Sequence, residues 1–166
     1  DSGRVELNLQ PLPLREAAQE ALDDAALIAR ARGVTLHNQV PTGVVAAADP
    51  DRLRQVLANL IDNAIKYGRE NGAVAVTGRA MGSTRVEITV RDDGPGIPVE
   101  ALARIFERFY RVDKARSREQ GGTGLGLAIV KNVVQAHGGE VRVDSTAGKG
   151  TEFFIMLPAG FGSAKT

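Results

Sequence analysis

Cysteine is absent from this 166-residue chain, which removes disulfides, thiolate catalysis and cysteine-ligated zinc together. Histidine occurs only twice, too few for a metal site built from imidazoles. An excess of charge is lacking as well: Lys+Arg 21 against Asp+Glu 20 gives a net charge of +1. Affinity for a polyanion needs clustered positive charge, so this balance argues against a general nucleic-acid or membrane-surface binder. No apolar run approaches the roughly 18 residues needed to span a bilayer. Neither a signal peptide nor an internal repeat is visible. The chain is expected to be soluble as given. Its start at Asp1, without a methionine, is expected to mark a fragment of something larger.

What is present is a globular composition, 43% hydrophobic and 25% charged, in a length that can bury a core within one domain. VELNLQ (Val5 to Gln10) is predicted as a strand, with Pro11 and Pro13 introducing a helix. That helix carries Leu14, Ala17, Ala18, Ala21, Leu22 and Ala25 at helical spacing and stops at Gly33. VTLHNQV and VVAAA read as short strands around a turn at Pro41 to Gly43. Asp49 is a natural N-cap, with Pro50 at the first helical position. Leu53, Val56, Leu57, Leu60, Ile61 and Ala64 then form one apolar stripe.

AVAVTGRAM and RVEITVRD alternate with a period of two and read as a hairpin across Gly82-Ser83. A short helix, VEALARIFERFY, leads into the polar, basic RVDKARSREQGG, and an apolar helix is predicted from about Leu125 to His137. EVRVDS and TEFFIMLP close the chain as a second hairpin around AGKG. The expected fold class is an α/β (α+β) two-layer sandwich, a mixed, mainly antiparallel sheet of about five strands packed on about three helices. One domain is expected over 1–158, with a frayed tail over 159–166.

Four constellations carry possible chemistry. Asn59, Asn63 and Lys66 share one stripe on the flank of an apolar helix face. Asparagine is a mediocre helix former, and two carbonyl ligands beside a cation suit a hard metal together with a phosphate. Alone, the pair fits a solvated helix flank better. In RVEITVRD the inward positions Val86, Ile88 and Val90 bring Asp92 to the same face. A carboxylate there needs a donor, such as an exocyclic amine, with Gly94 and Gly96 letting a flat base approach. Alone, it fits an Asp-Gly turn.

GGTGLGLAIV places glycines 121, 122, 124 and 126 before a helix, where exposed amides suit phosphate or the loop simply packs closely. It is not a Walker loop, since Lys149 is followed by Gly150, nor a sound dinucleotide fingerprint. Arg108, Arg111, Lys114, Arg116 and Arg118 cluster beside it. Such a segment can close over a polyphosphate or be an ordinary solvated loop.

Their order narrows the reading. Asn59-Leu-Ile-Asp-Asn63-Ala-Ile-Lys66-Tyr67 resembles the N box, and Asp92-Asp-Gly94-Pro-Gly96-Ile97 the G1 box, of the ATP-binding catalytic domain of bacterial sensor histidine kinases. Phe106-Glu-Arg-Phe109-Tyr-Arg111 resembles the F box and Gly122-Thr-Gly124-Leu-Gly126-Leu the G2 box. Gly148-Lys-Gly150-Thr151 resembles the closing glycine motif. The likeness to this branch of the GHKL superfamily, which has the Bergerat ATP-binding fold, covers nearly the whole chain.

The resemblance implies ATP and Mg2+ as cofactors. It makes Asn63 the metal ligand, with Asn59 near the metal and γ-phosphate, and has Lys66, Arg111 and Arg108 meet phosphates. Tyr67 would lie against the nucleotide. Asp92 would accept the adenine amine, Thr151 would help through water, and Gly94, Gly96 and Ile97 would shape the base pocket. The lid would span about 112–122, with Gly122, Thr123, Gly124, Leu125, Gly126 and Leu127 at the phosphates. Asp93 departs from the family's frequent Asn and adds a charge beside Asp92.

By the same likeness the phosphoacceptor histidine lies on a separate dimerisation domain. His37 and His137 lack acidic helical context and are expected to be structural, so the fragment alone should not autophosphorylate. The implied partners are that domain of the same protein and a cognate response regulator, with no nucleic acid and no direct membrane contact. The fragment is expected to be monomeric, and its parent a homodimeric, membrane-anchored bacterial sensor with this domain in the cytoplasm. The alternatives are another GHKL ATPase or anti-sigma serine kinase, and a non-catalytic nucleotide-binding module.

Overall fold

The computed structural model describes residues 6–107 and 126–160. Strand β1 (Gln10–Pro13) leads into helices α1 (Leu14–Asp24) and α2 (Ala26–Ala31), then strands β2 (Thr35–Gln39) and β3 (Val45–Ala48). Helix α3 (Pro50–Tyr67) precedes the hairpin β4 (Ala73–Met81) and β5 (Arg85–Asp92), and the short α4 (Val99–Leu102) follows. Helix α5 (Gly126–Ala136) and the hairpin β6 (Glu140–Thr146) and β7 (Gly150–Pro158) complete the described chain. Five strands form one sheet in the order β2-β4-β5-β7-β6. Only β2 and β4 run parallel; the other pairs are antiparallel. The mixed sheet on a helical layer is the fold expected from sequence.

Several boundaries differ from the sequence reading. The first strand is Gln10–Pro13, not Val5 to Gln10, and it pairs with β3 in a separate two-stranded sheet. Pro11 and Pro13 sit within it, which an edge strand tolerates because no second neighbour needs their missing N–H. The helix predicted to run on to Gly33 breaks at Ala25, whose N–H is shared between the Ala21 and Leu22 carbonyls. No glycine or proline marks that break, and it keeps both Ala25 and Ala29 on the core. The helix predicted from Val99 holds α geometry only to Leu102, and continues as turns with Arg104 N–H on Ala101 O and Glu107 N–H on Arg104 O. Ala159 and Gly160, at the head of the expected tail, are tied by N–H donation to Thr84 O and Val45 O. Residues 161–166 lie outside the described residues.

Helix α3 is the centre of the helical layer and packs against both α1 and α5. Its predicted stripe is buried, with Leu53, Val56, Leu57, Leu60 and Ile61 at 0–1% exposure. Each such side chain contributes roughly 1.5–3 kcal/mol through burial. The helix begins where Asp49 accepts from the N–H of both Asp51 and Arg52 at 3.1 Å. Its other carboxylate oxygen accepts from Asn8 N–H at 3.0 Å. His137, buried at the end of α5, accepts the Asp49 N–H on Nε2 (3.0 Å) and bonds Val133 O through Nδ1 (2.8 Å). That pattern fixes the Nδ1–H tautomer and makes His137 a structural residue, as its context implied. His37 lies exposed on β2.

The Asn8 N–H, followed by the two helical N–H groups, holds the Asp49 carboxyl below its usual range against the opposing effect of burial. A lowered folded-state pKa adds stability above the unfolded-state value, and that stability is lost as pH falls through the folded value. Asp49→Ala is expected to cost about 1–2 kcal/mol at neutral pH. The check is chemical denaturation at pH 7 and pH 3, where the gap between parent and variant should narrow at the lower pH.

Candidate functional site

Strand register assembles the site. On the helix-facing side of the sheet, Val90, Phe153 and Val143 form one cross-strand row, and Ile88, Ile155 and Val141 the next. The row on the other side of Val90, at the end of the sheet, is polar: Asp92 on β5, Thr151 on β7 and Ser145 on β6. Period-two alternation carries Asp92 inward behind Val86, Ile88 and Val90, all buried. The sequence thus places one carboxylate on the rim of an apolar core, and the pairing of three strands adds two hydroxyls beside it.

Asp92 Oδ1 accepts from Gly94 N–H at 2.8 Å. Burial, and secondarily the neighbouring Asp93 charge, push the Asp92 carboxyl above its usual range, while the Gly94 and Thr151 N–H groups oppose this. Raised carboxylates in clefts are frequent at functional sites. Asp93 itself turns away and accepts from Ala73 N–H at 3.0 Å, fastening the start of β4. The residue that departs from the family pattern therefore has a structural partner.

Two glycines shape the turn that follows Asp92. A Cβ on Gly94 would lie 2.7 Å from Gly68 Cα and 2.9 Å from Asp92 Oδ1. Gly96 has φ +85°, and a Cβ there would lie 2.7 Å from Thr146 O. No side chain fits either position without backbone movement, so the turn after β5 closes against Gly68 and Thr146 only with glycine at both. Ile97 packs on the core and donates its N–H to Ser145 Oγ at 2.7 Å.

Helix α3 forms the neighbouring wall. Asn59 and Asn63 are both half-buried, and Asn59 Nδ2 donates to Gly126 O at 3.2 Å. This contact joins the asparagine helix to the start of α5, where the glycine run ends. Lys66 pairs with Asp62 at 3.1 Å, one turn back. Tyr67 closes α3 next to Gly68. Leu127 packs against the core, so contact with a phosphate at this position falls to its main chain. Phe106 meets Phe153 edge-on, with centroids 6.1 Å apart, and anchors the chain after α4. Arg108, Arg111, Gly122, Thr123, Gly124 and Leu125, and the expected lid over 112–122, lie outside the described residues.

The structure therefore brings together Asp92, Gly94, Gly96, Ile97 and Thr151 around the sheet end, with Asn59, Asn63, Lys66, Tyr67 and Gly126 on the adjoining helices. Sequence reasoning missed three contributors. Ser145 continues the inward period of Val141 and Val143, a signal that was there to read. Gly68 is recognised only from its approach to Gly94. Arg32, distant in sequence, donates to Ile65 O at 2.8 Å and Gly68 O at 3.3 Å, and so caps the end of α3.

No group of three or more His, Cys, Asp or Glu side chains among the described residues can hold a metal by itself. Two half-buried amide oxygens one turn apart fit a hard cation that takes its other ligands from phosphates and water. The donor set fits magnesium arriving with a nucleotide.

Comparison with known proteins identifies the family. Residues 48–160 match the family described as histidine kinase-, DNA gyrase B- and HSP90-like ATPase. The sensor protein kinase WalK of Staphylococcus saprophyticus is 47% identical over 131 residues, covering 77% of this chain and 21% of WalK. The chain thus spans about a fifth of the length of that relative. Full-length ShkA, solved in complex with AMPPNP, superposes with a TM-score of 0.82 at 35% identity, covering 94% of this chain and 32% of ShkA. The mycobacterial sensor histidine kinase MprB superposes at 0.78 with 32% identity, covering 92% of this chain and 99% of the MprB chain. Among the described residues, no helix is long and apolar enough to cross a membrane.

Proposed function

The chain belongs to the histidine kinase-, DNA gyrase B- and HSP90-like ATPase family, as an ATP-binding catalytic domain of the sensor histidine kinase type, and from that premise we propose that it binds magnesium-ATP and presents the γ-phosphate to a histidine on a separate dimerisation domain. One observation carries the proposal: a carboxylate pushed above its usual range by burial at the end of an apolar sheet face, in one row with the Thr151 and Ser145 hydroxyls and followed by the turn through Gly94 and Gly96. An adenine fits, because its exocyclic amine donates to Asp92 while its ring lies against Ile97 and the glycine backbone.

The residues divide the work. Asp92 and Thr151 bind the base, and Gly94, Gly96 and Ile97 shape its slot, with Tyr67 against the nucleotide. Asn59 and Asn63 face the metal side, and Lys66 exchanges Asp62 for a phosphate oxygen. Arg108 and Arg111, with Gly122, Thr123, Gly124, Leu125, Gly126 and Leu127, surround the phosphates. Magnesium, when bound, supplies charge neutralisation between phosphates. Phosphoryl transfer is largely positioning plus charge stabilisation, and the nucleophile comes from the partner domain. From there the phosphoryl group passes to an aspartate of a response regulator, and the parent is a homodimeric, membrane-anchored sensor with this domain in the cytoplasm.

Mixing the chain with magnesium-ATP and a separately prepared dimerisation domain of this family is expected to yield acid-labile phosphohistidine on that domain, and none on the chain alone. Persistent absence of label with folded partner and demonstrated ATP binding would refute the kinase role. Phosphoserine on a partner would point instead to the anti-sigma branch.

A further inference from the structure

The third member of the polar row, Ser145, has its hydrogen-bonding capacity fully used. Its Oγ receives Ile97 N–H at 2.7 Å, lies 3.1 Å from the carbonyl oxygen of Gly150, and lies 3.0 Å from Thr151 Oγ1. A serine hydroxyl has one proton and two lone pairs. The Ile97 N–H can only donate and the Gly150 carbonyl can only accept, so the first takes a lone pair and the second takes the proton. One lone pair remains for Thr151, whose hydroxyl must therefore donate to Ser145. The Thr151 proton is then committed inside the protein, and its oxygen offers only lone pairs towards the base.

We propose that Ser145 is a specificity-determining positioning residue, which fixes Thr151 as an acceptor beside Asp92 and so selects a base carrying an amine over one carrying a keto oxygen. The inference rests on the nucleotide reading of this pocket and adds to it the origin of base choice. Two acceptors side by side match an exocyclic amine reached directly. A keto oxygen at the same position meets lone pairs on both and finds no donor. Because the serine also holds Ile97 and Gly150, it fixes the slot's edge and the threonine's polarity with one oxygen.

The test compares ATP with inosine triphosphate, which places a keto oxygen where ATP has its amine. Affinities are measured by calorimetry on the parent chain and on Ser145 variants whose folding is checked by circular dichroism. The parent is expected to prefer ATP. Ser145→Ala releases the Thr151 proton and is expected to narrow that preference about five- to tenfold, the size of one neutral hydrogen bond. Ser145→Thr, which keeps the hydroxyl, is expected to retain the parental ratio. Should the alanine variant not fold, Ser145→Cys, with a weakly bonding thiol, is expected to narrow the ratio in smaller measure. A parental ratio in the folded alanine or cysteine variant, even with both affinities lowered together, would reduce Ser145 to a structural prop and overturn the proposal. A parent chain that binds neither nucleotide would overturn the nucleotide reading itself.

Discussion

Asp92→Asn is expected to lower ATP affinity by about 10- to 150-fold, the range for a hydrogen bond to a charged group, while leaving the fold as stable or more so. The two effects have opposite signs for one reason. Asp92 is a half-buried carboxylate whose pKa is raised by desolvation and by the Asp93 charge. A raised folded-state pKa means that protonation favours the folded, ligand-free protein: this stabilisation is present below the unfolded-state value and lost as pH rises through the folded value. At neutral pH the ionised group therefore weighs against the empty fold. Asparagine removes the charge but keeps an oxygen for the Gly94 N–H, which bonds Oδ1 at 2.8 Å.

Its amide nitrogen then takes the other oxygen's place and points a donor at the adenine amine, also a donor. Asp92→Ala, which removes the acceptor altogether, is expected to take binding below detection. In the parent, ATP affinity should fall with acidification at a pH above the ordinary carboxylate range. Calorimetric titration and thermal melts on both variants read the two signs separately. Wild-type affinity in Asp92→Asn, or a melting temperature lowered in step with lost binding, would remove Asp92 from the base site.

Asn63→Ala is expected to abolish the magnesium-dependent part of ATP binding. The effect should be at least about 10- to 100-fold in the presence of the metal, since losing even an outer-shell partner of a metal ion costs that much. With magnesium chelated, parent and variant should bind ATP alike. Asn63 is half-buried on α3, and its amide makes no side-chain hydrogen bond to another of the described residues. Alanine is the better helix former by roughly half a kcal/mol, so the helix should not suffer. A residue that lowers the stability of its own helix while serving a ligand is the usual compromise at a binding site. A variant with unchanged metal dependence would move the metal away from Asn63.

How far the site could be read in advance depended on the range of the interactions that build it. Helix α3 was legible because its cap, its proline and its apolar stripe are local: Asp49, Pro50 and the period from Leu53 to Ala64 each declare themselves within a turn or two. Asp92 was legible because strand alternation is equally local. Ser145 beside Thr151 beside Asp92 was not, since that row depends on the register of β5, β7 and β6, which no single segment specifies. The Gly68 approach to Gly94 and the Arg32 cap on α3 also join residues far apart in the chain. The break at Ala25 escaped for a different reason: an alanine-rich face gives the same pattern whether the helix bends or runs straight.

The bond between His137 and Asp49 has a mechanical consequence. Helices α3 and α5 lie antiparallel, with the start of α3 joined to the end of α5 by a buried imidazole, and the start of α5 meeting Asn59 through a single amide contact at Gly126. Between the two junctions Val130, Val133 and Val134 of α5 are buried in the core. Helix α5 is therefore held along α3 at both of its ends, and the buried end fixes how far it reaches. The imidazole, although it takes no part in the proposed chemistry, acts as a clasp that sets the register of α5 along α3.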